Sequence, residues 1–149
     1  MASPKTKIRN SFPRLKPTDF KVHSPPDPDY NCIGFAADES APQFWWPHGK
    51  AYWPAGLPAD ETPQNFVDAF RTLGYEQCNS FDFEEGFEKV AIFVREVDGR
   101  TKHMARQLDD GRWISKLGAG WDIIHKTLFG LAGKDYGEPI IALRRPRKP

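Results

Sequence analysis

The amino-acid sequence predicts a single α+β domain, on the basis of three observations. A helical pattern is followed by alternating apolar patterns joined by short turns, which indicates helices and an antiparallel sheet. The length of 149 residues fits one domain with a sizeable core. Aromatic residues make up 13% of the chain, and this content argues against wholesale disorder.

Three regions are expected along the chain. Residues 1–29 hold six prolines and show neither a helical nor a strand period, which predicts an extended, basic arm. Residues 30–145 are expected to form the domain, and residues 146–149 a basic tail.

Charge is segregated along the sequence, although the formal net charge is only +1. Residues 1–30 carry +3, the four basic residues from Arg144 to Lys148 add +4, and the body between them has −6. The basic ends fit solvated flanks, or arms that contact an anionic partner. The near-neutral total argues against a general nucleic-acid binder.

The composition excludes two further classes of protein, those that span a membrane and those held together by a scaffold of disulfides. No apolar run approaches the roughly 18 residues needed to cross a bilayer, and residues 1–30 lack the apolar core of a signal peptide. We therefore expect a cytoplasmic protein without membrane association. Two cysteines cannot form a disulfide scaffold, and no short ligand spacing or glycine-rich phosphate loop is present, so we expect no metal and no cofactor.

Two helices are expected before the sheet. Asn31 is a suitable N-cap for a short buried helix that begins at Cys32. In the second helix, Thr62 can cap, Pro63 suits the first helical position and Gly74 ends the segment. Its apolar face is formed by Phe66, Val67, Phe70 and Leu73.

The second half of the chain predicts an antiparallel meander. Val90, Ile92 and Val94 alternate along the first strand, and the Asp-Gly pair at 98–99 is a two-residue hairpin turn. The strands expected after it are 101–108, 112–116 and 139–143, with a short helix at 122–128 between the last two.

Cys32 is the first candidate for catalysis. A thiol at a helix N-terminus faces the positive end of the helix dipole, which favours the nucleophilic thiolate, and the adjacent backbone N–H can stabilise an oxyanion. The alternative is a cysteine that only packs in the core. His103 is the candidate general base, its alternative being an ordinary polar residue of an edge strand. Cys78 is expected to pack in the core or to begin a strand.

The segments around Cys32 and His103 resemble those of the papain-like superfamily. Residues 30–36, Tyr-Asn-Cys-Ile-Gly-Phe-Ala, resemble the nucleophile helix of papain-like peptidases and CHAP-type amidases. Residues 103–121, with Trp-Ile-Ser-Lys and Gly-Ala-Gly-Trp, are similar to the papain-type His strand and the pattern after it. The resemblance implies a Cys–His dyad and a papain-like fold, with N-terminal helices packed on an antiparallel β-meander. Residues 30–145 also resemble a small bacterial family of unknown function, which implies no activity.

Two positions depart from the papain pattern. Pro26 stands where papain-type enzymes place the Gln of the oxyanion hole, so Tyr30 or Asn31 would have to donate there. Leu117 stands where they place the Asn that orients the catalytic His, so another residue would have to take that role.

Ser115 and Asp122 are the candidates to orient His103. A three-residue loop at 109–111 puts Ser115 on the face of His103, whereas a two-residue turn puts Lys116 there. The Asp-Asp-Gly sequence favours the three-residue loop. Asp122 is otherwise expected to be a helix N-cap.

The tryptophans are the main candidates for binding. An aromatic wall over the nucleophile would hold a peptide or an acyl chain, although the same side chains could simply cap the core. The members of such a wall would be Trp45, Trp46, Trp53 and Trp113.

The expected function is that of a Cys–His hydrolase or acyl-transferase, which acts on an amide or ester through a thioester intermediate. The expected partner is then a peptide or a small amide or ester substrate. The alternative is a non-catalytic module of the immunity or adaptor type, which binds a protein partner through the Trp-rich segment.

Overall fold

A computed structural model describes residues 3–24, 32–37, 53–117 and 120–147. The helices are α1 (Pro4–Ser11), α2 (Cys32–Ala37) and α3 (Pro63–Arg71), with a single 3-10 turn at Phe129–Leu131. The strands are β1 (Phe20–Ser24), β2 (Glu76–Cys78), β3 (Phe87–Val94), β4 (His103–Gln107), β5 (Trp113–Lys116), β6 (Asp122–His125) and β7 (Glu138–Pro146). All strand pairs are antiparallel and form one sheet in the order β1-β6-β5-β4-β3-β7-β2.

The expected papain-like arrangement, with N-terminal helices packed on a β-meander, is wrong for this chain. The described part of the chain is mostly the seven-stranded antiparallel sheet, and the α-helices in it have six to nine residues. The chain also enters the sheet at β1, before α2. Short motifs around two residues constrain local structure, whereas strand order depends on pairing between distant segments, which those motifs do not encode.

The N-terminal segment differs from the extended arm predicted for residues 1–29. Helix α1 begins at Pro4, and the Ser3 hydroxyl accepts a hydrogen bond from the Thr6 N–H at 3.2 Å, so a serine cap and a first-turn proline define its start. Strand β1 follows and pairs with β6. Its signal is the alternation of Phe20 and Val22 with polar residues, a pattern too short to stand out beside six prolines.

The segment 122–128, predicted as a short helix, begins instead with strand β6. Ile123 and Ile124 are β-branched, and they pair with β5 on one side and β1 on the other. Strand β6 forms a hairpin with β5, which precedes it directly in the chain, whereas its other neighbour, β1, comes from the distant N-terminal segment. Within the described ranges, no helix is long and apolar enough to cross a membrane.

Several predicted elements lie where the sequence placed them. Helix α3 begins at Pro63 and is followed by Gly74 with φ of 91°. Thr62 occupies the N-cap position, although its hydroxyl donates to Asp60 at 2.7 Å instead of capping the helix. Strands β3, β4 and β5 form the predicted consecutive hairpins, but the first turn is longer than the predicted two-residue turn at 98–99, because the Arg95 N–H bonds the Arg100 carbonyl across residues 96–99.

The sheet separates two apolar clusters. The α3 face carries helices α2 and α3 and a cluster that includes Ile33, Phe66, Phe70, Ile92 and Met104. The α1 face carries the N-terminal segment and a cluster that includes Ile8, Leu15, Phe93, Trp113 and Ile123. Successive side chains of a strand point to opposite faces, so neighbours along β4 contribute to different clusters.

Candidate functional site

Three polar side chains form a hydrogen-bonded chain in the interior. Nε2 of His103 lies 3.1 Å from Oγ of Ser115, and Nε2 of His125 lies 2.8 Å from the same oxygen. Nδ1 of His125 lies 2.9 Å from the carbonyl oxygen of Thr127. We call His103, Ser115 and His125 the relay, and all three are buried on the α1 face.

Strand register brings the relay together. The loop at 109–111 ends in a glycine with φ of 90°, and Gln107 pairs with Trp113 across it. This is the three-residue loop that the sequence favoured, and it places Ser115 on the face of His103. The prediction that Ser115 shares the face of His103 is confirmed, and the two side chains lie 3.1 Å apart.

Strand β6 supplies the third member of the relay. His125 pairs with Trp113, and Ser115 pairs with Ile123, so all four side chains share one face of the sheet. Sequence reasoning missed His125 because it placed residues 122–128 in a helix. Recognising a strand there would have put His125 on the same face as Ser115.

Aromatic rings enclose His103. Tyr136 stacks on its imidazole with centroids 4.1 Å apart and planes 5° apart, and Phe93 meets it edge-on at 5.1 Å. Burial lowers the pKa of His103 well below its ordinary value and lowers the pKa of His125 to about 4, so both rings are neutral at pH 7. Nδ1 of His103 is buried and has no hydrogen-bond partner among the described residues.

Cys32 begins helix α2 and is buried in the cluster on the α3 face. Its Sγ lies 3.5 Å from the carbonyl oxygen of Lys102. Burial raises the pKa of the thiol to about 12, although the backbone N–H groups of Met104, Cys32 and Ile33 act in the opposite direction. The resting group is therefore a neutral thiol, in contrast to the thiolate that its place at a helix N-terminus suggests.

The structure holds Cys32 and His103 on the two sides of strand β4. The thiol contacts the backbone of the residues flanking His103, namely Lys102 and Met104. The imidazole points to the other face, beside Phe93. Among the described residues, no hydrogen bond joins Sγ of Cys32 to the His103 ring. In the resting structure the thiol lies against the backbone on either side of His103 and does not bond its imidazole.

Asp122 does not orient His103. It pairs with Lys116 across β5 and β6, on the face opposite Ser115, and its carboxylate lies 3.1 Å from Nδ1 of His23. It also lies in a strand and is not a helix N-cap.

Two of the four predicted substrate-binding tryptophans lie within the described residues, and they pack on opposite faces of the sheet. Trp53 meets Phe66 edge-on at 5.4 Å and donates to the Pro58 carbonyl, so it packs against the α3-face core. Trp113 is buried on the α1 face next to Phe81. Trp45 and Trp46, together with the predicted oxyanion donors Tyr30 and Asn31, lie outside the described residues.

Fold and site together define an antiparallel-sheet protein with a buried His–Ser–His chain. Residues 21–144 match the family model described as a domain of unknown function, DUF7689, and the chain belongs to this family. No curated protein and no solved structure matches it. Among the described residues, no group of three or more His, Cys, Asp or Glu side chains could hold a metal ion.

Proposed function

We propose that the protein carries out cysteine-dependent acyl transfer, with hydrolysis of an amide or ester as its simplest form. The observation that carries the proposal is the relay, which holds a neutral imidazole in place, with no hydrogen-bond partner for its Nδ1 among the residues that the structure describes. A buried base with a free nitrogen is an unusual feature for a structural core, because buried polar atoms are nearly always hydrogen-bonded.

In the proposed reaction, the Cys32 S–H bond breaks and its proton moves to Nδ1 of His103 as sulfur attacks the carbonyl carbon. The imidazolium then protonates the departing amine or alcohol, which leaves a thioester on Cys32. Water attacks the thioester and transfers a proton to Nδ1. When the carbon–sulfur bond breaks, the imidazolium returns that proton to sulfur and the carboxylic acid is released.

One feature of the resting state fits this chemistry: the neutral His103 can accept the thiol proton during the attack. The proposal requires the start of α2 to move when substrate binds, because Cys32 and His103 lie on opposite sides of β4 and the single side-chain torsion of Cys32 cannot carry its thiol from the Lys102 carbonyl to Nδ1. The N–H groups at the start of α2 would then lie beside the developing oxyanion.

Acetylation by p-nitrophenyl acetate, followed by mass spectrometry of the intact and digested protein, tests the proposal. We expect a single acetyl group on Cys32. His103→Gln should slow this acetylation by about a hundredfold or more, the usual contribution of a general base. Cys78→Ala is the matched control, because it removes the other thiol and should leave the rate unchanged.

Acetylation of Cys78 in preference to Cys32, or a Cys32 rate that His103→Gln does not lower, would overturn the proposal. The second candidate, a non-catalytic binding module, is favoured by one observation, the burial that raises the pKa of Cys32 to about 12. That function requires that Cys32→Ala leave partner binding intact, whereas Trp45→Ala and Trp46→Ala abolish it.

A further inference from the structure

We propose that His125 is a positioning residue that acts through Ser115: it fixes the proton of His103 on Nε2 and keeps the lone pair of Nδ1 free. The consequence for catalysis rests on the function proposed above. The proton arrangement itself follows from the hydrogen-bonding capacity of four groups and can be measured separately.

The Thr127 carbonyl determines the protonation of His125 at the far end of the relay. A backbone carbonyl can only accept a hydrogen bond, so the Thr127 oxygen 2.9 Å from Nδ1 of His125 requires a proton on that nitrogen. A neutral imidazole carries one N–H, and burial keeps His125 neutral at pH 7. Its Nε2 is therefore an acceptor, and the only proton that can fill the 2.8 Å contact is the hydroxyl proton of Ser115.

The Ser115 hydroxyl has a single proton, and this determines which hydrogen bond it makes with His103. Because Ser115 donates to His125, its oxygen must accept at the 3.1 Å contact with His103. Nε2 of His103 therefore carries the N–H. His103 is also neutral, so its Nδ1 holds a lone pair, and this is the atom without a partner among the described residues.

The reverse arrangement conflicts with the geometry. If His103 carried its proton on Nδ1, Ser115 would donate to Nε2 of His103 and would have to accept from Nε2 of His125. The lone pair of Nδ1 of His125 would then face the lone pairs of the Thr127 carbonyl at 2.9 Å. The Thr127 carbonyl therefore determines the tautomer of His103, two strands away, through the imidazole of His125 and the hydroxyl of Ser115.

Two substitutions of His125 separate this role from packing. Phe fills a similar volume but offers no polar atom, so the Ser115 hydroxyl becomes free to donate to Nε2 of His103. Gln offers an amide N–H for the Thr127 carbonyl and an amide oxygen for the Ser115 hydroxyl, so it can rebuild the chain. Nitrogen NMR of histidine-labelled protein reports which ring nitrogen of His103 carries the proton.

We expect the proton on Nε2 in the unmodified protein and in His125→Gln, and a substantial population on Nδ1 in His125→Phe. A proton on Nδ1 in the unmodified protein, or a tautomer unchanged in folded His125→Phe, would overturn the inference. If His125→Phe does not fold, Ser115→Ala and Ser115→Thr provide the same comparison, since only Thr keeps the hydroxyl. Ser115→Ala should then release the tautomer that Ser115→Thr retains, and an equal result in both would contradict the relay.

Cys32 acetylation provides the kinetic readout. We expect it to slow by about tenfold or more in His125→Phe and to recover in His125→Gln, because only the second keeps the base in its active tautomer. The two proposals fail separately. If the tautomers are as predicted but Cys32 is not acetylated, the proposed function is refuted and the relay is retained. If Cys32 is acetylated but His125→Phe changes neither the tautomer nor the rate, the relay alone is refuted.

Discussion

His103 and His125 are two imidazoles kept neutral by the same interior, and this has consequences beyond catalysis. Neither ring can take up a second proton without breaking a contact of the relay or placing a charge in an apolar environment. These two side chains should therefore make the stability of the protein depend on pH.

We predict that acid destabilises the protein through His125. Its pKa is about 4 in the folded state against 6.5 ordinarily, so the unfolded chain binds the extra proton first. The stabilisation is complete above pH 6.5 and is lost as the pH falls toward 4, by on the order of 3 kcal/mol. Burial of His103 acts in the same direction.

Urea unfolding at several pH values measures this effect. His125→Gln cannot titrate, so its unfolding free energy should fall less steeply between pH 6.5 and 4 than that of the unmodified protein. An equal slope in both proteins would contradict the prediction.

At the scale of elements, β7 shows how the basic C-terminal residues are used. This last strand lies between β3 and β2 in the sheet, and its arginines pair with acidic residues of β3 and of the loop between β2 and β3. Arg145 donates to Glu88 at 2.6 Å and to the Leu73 carbonyl at 2.8 Å. Its guanidinium also lies 4.5 Å from the ring centre of Tyr75. The basic residues at this end are therefore largely part of the sheet.

We predict that Arg145→Ala lowers the free energy of unfolding by about 1–3 kcal/mol, because it removes charge-assisted bonds that are largely shielded from water. The side chain is only 14% exposed. Arg147→Ala is the control, since its pair with Glu88 spans 3.9 Å and it is more exposed, so it should cost much less. Equal losses from the two substitutions in urea unfolding would count against this account.

At the scale of the whole molecule, the folded unit extends beyond the family match at 21–144. Leu15 is 1% exposed on the α1 face, and Phe12 packs against Tyr136 with centroids 5.0 Å apart. Leu15 also fills the space above Gly130, where an added methyl group would come within 2.6 Å of its Cδ2. The N-terminal segment is thus packed against the layer that covers His103.

The contact between Leu15 and Gly130 predicts that substitutions at these two positions have coupled effects on the free energy of unfolding. Leu15→Ala should cost about 2–5 kcal/mol through the cavity it leaves, and Gly130→Ala about 1–3 kcal/mol through the clash. The double variant should be destabilised less than the sum of the two, because the new methyl group enters the vacated space. Unfolding free energies of the four proteins measure the coupling, and additivity within about 0.5 kcal/mol would refute this packing.

The elements differ in how well the sequence predicts them. The sequence predicted α3, the β3–β4–β5 hairpins and the face that Ser115 shares with His103, since capping, alternation and turn chemistry are local properties. It misread β1 and β6 because four or five residues carry too weak a period without their pairing partners. His125 was missed together with β6, and Tyr136 was missed because it lies outside the strands and reaches His103 only through tertiary packing.

Local interactions specify a proline-started helix, consecutive hairpins, and a loop whose glycine puts Ser115 beside His103, and these could be predicted from the sequence. The order of the seven strands, the packing around each side chain and the ionisation of the buried groups depend on contacts between distant segments. The thiol expected to be a thiolate is a neutral group, because desolvation depends on everything packed around a residue and outweighs the few N–H groups that its own helix supplies.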